Sequence, residues 1–88
     1  MADVDRIIDE VTASLPGVAF EQLRVTHAAD DDGVWFFQLP AGGNEVQIES
    51  STGDCPFLIE HNASDESYLA TSVSDASAKV IEWLQLSF

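Results

Sequence analysis

Cations are scarce in this chain: 3 Lys and Arg stand against 16 Asp and Glu in 88 residues, for a formal net charge of −13. No basic stripe exists to displace counterions from phosphates, so nucleic acid is excluded as a direct ligand. Anionic membrane surfaces are disfavoured for the same reason. Cysteine is nearly absent too. The single Cys55 rules out an intramolecular disulfide and any multi-cysteine zinc site. No apolar run comes near the ~18 residues of a membrane span. The acidic start, Met1-Ala2-Asp3-Val4-Asp5, has no cationic segment followed by an apolar one, so no signal peptide is expected. A cytoplasmic protein is the expectation, with Asn62-Ala63-Ser64 a chance match to the glycosylation triplet. No glycine-rich nucleotide motif is present. Ser50-Ser51-Thr52-Gly53 lacks a lysine, opens no helix and reads as a turn.

What is present is a globular composition, 45% hydrophobic and 22% charged, too apolar for a disordered acidic tail. The length fits a single domain, residues 1–88. Val4, Ile7, Ile8, Val11 and Leu15 fall on one helical stripe, with Asp3 available as cap, which predicts a helix over 3–15. Pro16-Gly17 stops it. The period then changes to two. Leu23 and Val25 alternate with Gln22, Arg24 and Thr26, while Phe20 is out of register by one. Val34–Leu39 is a strand with Trp35 and Phe37 under the helices, Glu45–Glu49 alternates around inward Val46 and Ile48, and Cys55–Glu60 follows. The intervening turns predict an antiparallel meander. Tyr68–Thr71 is a short fifth strand or an extended approach. Ser74 is the expected cap of a last helix whose apolar face is Val80, Ile81, Trp83, Leu84 and Phe88. The fold class is therefore α+β: a four- to five-stranded antiparallel meander with both terminal helices on one face. Gln22, Arg24, Glu45, Gln47, Glu49, Glu60, Val34, Phe36, Gln38 and Leu58 then fall on the open face.

Candidate chemistry is thin. Asp30-Asp31-Asp32-Gly33 offers hard oxygens, but the calcium-loop spacing puts Ala28 and Leu39 where ligands belong, so it reads as an acidic turn. Cys55 and His61 are six residues apart on an extended segment, roughly 20 Å, and Asp54 disfavours a thiolate. His27 and His61 lie in separate loops without ligand spacing. Glu45 and Glu49 read as solvated strand residues. No enzyme, metal, cofactor or small-molecule substrate is expected. Phe36 and Leu58, among Glu45, Glu49 and Glu60, form the candidate interaction surface, an apolar centre ringed by carboxylates. The expected role is a small acidic binding protein, an inhibitor or immunity-type protein or a small chaperone, engaging a basic or apolar protein partner or a second copy. The alternative is a stand-alone domain whose acidity reflects a high-salt cytoplasm.

Overall fold

A computed structural model describes residues 2–22, 33–40, 45–62 and 66–85. In chain order the elements are α1 (Asp3–Ser14), β1 (Ala19–Gln22), β2 (Val34–Gln38), β3 (Glu45–Glu49), β4 (Phe57–His61), β5 (Ser67–Ala70) and α2 (Val73–Leu84). The five strands form one sheet in sequence order, every neighbouring pair antiparallel. The expected α+β meander is the observed fold, and the fifth strand is present.

The inward residues of β2, β3 and β4 join the apolar stripes of both helices in one core. Phe37, Val46, Ile48, Phe57 and Ile59 are wholly buried, as are Ile7, Val11 and Val80 above them. Strand alternation explains this: a period of two puts every second side chain under the helices, whose apolar positions recur at 3.6. α1 lies beside α2 on that same face. Its exit is made by Gly17, whose φ of 93° suits a residue without a Cβ.

The start of α1 is held by the turn between β3 and β4. Asp3 is not the cap; Ala2 is, with its amide donating to the Asp5 carboxylate at 3.2 Å. Asp3 instead reaches across the chain. Its Oδ2 accepts the Cys55 amide at 3.0 Å, and its own amide donates to Asp54 Oδ1 at 3.0 Å. The Val4 amide donates to the Gly53 carbonyl at 2.9 Å, so the unpaired donors of the helix end are satisfied by the hairpin turn. Gly53, at φ 76°, gives the turn its left-handed corner.

The Cys55 backbone hydrogen bond holds the Asp3 carboxyl below its ordinary value of 3.8. A depressed folded pKa contributes stability above the unfolded pKa and loses it as pH falls through the folded one. Asp3→Ala is therefore expected to flatten the acid limb of the stability curve below pH 3.8. Urea titrations at neutral pH and near pH 3 check this; parallel acid losses in the two proteins would show that Asp3 is not the group responsible.

Several expectations are corrected. The register pairs Phe20 with Phe37 and Gln22 with Trp35, so Gln22 lies on the helix side and not on the open face. The strand takes its phase from Phe20, whose ring sits 6.4 Å from that of Phe37. Leu23, Arg24, Val25, Thr26, His27 and the Asp30–Asp32 turn lie outside the described residues, as does Phe88. β4 starts at Phe57 and runs on through His61, which is buried in the sheet and not in a loop. The cap of α2 is Ser72 rather than Ser74: its hydroxyl accepts the Asp75 amide at 3.1 Å, and Val73 is already helical.

Candidate functional site

The face of the sheet turned away from the helices is the site to be assembled. Antiparallel register converts strand alternation into rows of side chains. One row runs Glu21, Phe36, Gln47, Glu60, Ser67; the next runs Val34, Glu49, Leu58, Leu69. Glu45, opposite Gln38, stands in a third. The five residues singled out from the sequence, Phe36, Leu58, Glu45, Glu49 and Glu60, thus share one face, and each is half-buried.

They do not form a central apolar patch. Phe36 is on β2 and Leu58 on β4, and β3 between them presents Glu45, Gln47 and Glu49. The apolar surface is split into Val34 with Phe36 on one side of that polar column and Leu58 with Leu69 on the other. Leu69, 58% exposed on the edge strand, is the residue the sequence reading missed. The alternation Ser67, Leu69 against Tyr68, Ala70 would have placed it once the fifth strand was taken as real. Among the described residues this face carries four glutamates, Glu21, Glu45, Glu49 and Glu60, and no cation.

The helix side carries a different constellation. The Tyr68 hydroxyl lies 2.8 and 2.9 Å from the two Asp75 oxygens, and that hydrogen bond raises the phenol pKa. Lys79 sits 4.6 Å from the Tyr68 ring centroid, 5.5 Å from that of Trp83, and 3.2 Å from Glu82. His61 packs edge-on against Trp83 with centroids 4.5 Å apart. These contacts clamp α2 onto β4 and β5: a cation over two rings and a buried imidazole against an indole are packing devices. Nothing in them points at an open reactive position.

Neither do the other sequence candidates converge. β4 separates Cys55 from His61, and burial followed by the neighbouring Asp3 pushes the Cys55 thiol upward, away from the reactive thiolate. Among the described residues no group of three metal-ligating side chains gathers, and no described helix is long and apolar enough to cross a membrane. The chain matches no known family, no curated protein and no solved structure.

Proposed function

We propose that the protein is a non-enzymatic binding module whose open sheet face docks on a basic partner protein, in the role of an inhibitor, an immunity-type protein or a small chaperone. The observation that carries this is the composition of that face: Val34, Phe36, Leu58 and Leu69 interleaved with four glutamates and, among the described residues, no cation. Apolar groups supply area to remove from water, and the carboxylates select the sign of the partner and speed its approach. The same charges weigh against a homodimer through this face, because a second copy would set its glutamates against these.

A lysine–leucine alternating peptide is a suitable probe, since its extended form presents an apolar edge and a cationic one. In an amide NMR titration, the largest shifts are expected at Phe36, Gln47, Glu49, Leu58 and Leu69. The double variant Phe36→Asp, Leu69→Asp is expected to lose the response while keeping the fold's spectrum. Shifts spread evenly over both helices, or an undiminished response in the variant, would remove the reading.

The salt-adaptation alternative has one observation in its favour. Asp5, Asp9 and Glu10 are exposed on α1, well away from the open face, so the acidity is not confined to the docking surface.

A further inference from the structure

Beyond the open face, a groove of about 490 Å³ runs between α1 and β1, lined by Asp5, Ile8, Phe20, Glu21, Gln22 and Trp35. We infer that this groove receives an arginine side chain of a protein partner. Its apolar walls are two aromatic rings and an isoleucine. Phe20 is 51% exposed, which is unusual for a phenylalanine that is in register with the wholly buried Phe37. The Asp5 carboxylate completes the described lining, fixed in place by the Ala2 amide on its Oδ2, while Glu21 borders the groove from β1 with its side chain on the open face. The described lining contains no cation.

Aromatic faces combined with carboxylates recognise a flat, delocalised cation. A guanidinium stacks on a ring while donating a pair of hydrogen bonds to a carboxylate. An ammonium is a strongly hydrated point charge and uses the rings less well. The volume falls in the range of about 300–1,000 Å³ typical of ligand sites, more than one side chain fills, so there is room for the flanking residues of a peptide segment. β1 is the terminal strand of the sheet order, and that leaves the groove at the rim of the fold.

The origin of the groove is physical. α2 lies over β2 to β5, and α1 packs chiefly on α2, so the helix layer stops short of β1. Among the described residues, the ring neighbour of Phe20 is Phe37 in the sheet, not a helix side chain above it.

The test uses the capped tripeptides Gly-Arg-Gly, Gly-Lys-Gly and Gly-citrulline-Gly, the last keeping the shape of arginine without its charge. The readout is the Trp35 indole N–H resonance, with the Trp83 indole, packed on His61, as internal control. The arginine peptide should bind about tenfold more tightly than the citrulline one, with lysine between them. Asp5→Asn and Phe20→Ala, both at exposed positions, should each weaken it several-fold, while Glu10→Gln, exposed on α1 and outside the described lining, leaves it unchanged. Equal binding of citrulline would overturn the inference. So would equal losses from Asp5→Asn and Glu10→Gln, which would mean a general response to the acidic field. Since the open face is read at Phe36, Leu58 and Leu69 and this groove at Trp35, the two proposals fail separately.

Discussion

Phe37→Ala is expected to cost about 3–5 kcal/mol, whereas Phe36→Ala, one residue earlier, is expected to cost about 1 kcal/mol. Phe37 is wholly buried beneath the helices, so truncation removes a full aromatic side chain from the core and leaves a cavity there. Phe36 points to the other face and is half-buried, so its loss forfeits part of a side chain's burial and some strand propensity. A chain of 88 residues has roughly 4–13 kcal/mol of stability in total, so the first variant gives up a large share of it. Binding of the lysine–leucine probe should show the reverse order. Phe36→Ala keeps the fold and weakens the complex about tenfold, as expected for an aromatic anchor. Urea midpoints with unchanged slopes, measured beside the probe titration, check both halves. If Phe36→Ala unfolds the protein, or if Phe37→Ala is tolerated, the assignment of faces is wrong.

That pair also marks how far the sequence could be read. Parity along β2, β3 and β4 follows from side chains alone, because each strand has one wholly apolar set, Trp35 and Phe37, Val46 and Ile48, Phe57 and Ile59. The bounds expected for β3 are the observed ones, and α1 ends one residue earlier than the expected 3–15. What parity does not contain is register. Whether Phe36 lies beside Leu58 depends on how the turns slide one strand along the next, and the pairing puts β3 between them. The polarity of His61 suggests a loop, yet the alternation Phe57, Ile59, His61 continues in the strand because an imidazole can pack on an indole. Ser72 and Ser74 are equal as caps on chemistry. The choice is made by Val73, which is already in the helix and packs against the core. The groove beside β1 is a relation between layers: it exists because α1 leans on α2, and no local pattern records that.

Raising NaCl from about 20 mM to about 1 M should stabilise the fold and weaken its complexes, and the contrast separates the two readings of the charge. Lys79 pairs with Glu82, but 16 Asp and Glu face 3 Lys and Arg, so most carboxylates of this −13 chain meet other carboxylates across solvent. The screening length falls from about 10 Å at 0.1 M to about 3 Å at 1 M, and that removes most of their mutual repulsion. A gain of about 1–2 kcal/mol is expected, which raises Tm by about 5–15 °C for a domain of this size. Over the same range the association rate with the lysine–leucine probe should fall about 10- to 100-fold, because steering by unlike charges is screened in the same way. Salt adaptation makes a harder demand: the fold must be lost in dilute buffer and recovered in molar salt. The core argues for the milder response. Its wholly buried residues are apolar throughout, and Glu45, Glu49 and Glu60 are seated on the opposite face of the sheet from it. Circular dichroism melts across the salt series, run beside stopped-flow association, decide between them. A chain that is folded and fastest to bind at low salt supports partner recognition; one that is unfolded there, or whose association does not slow with salt, refutes it.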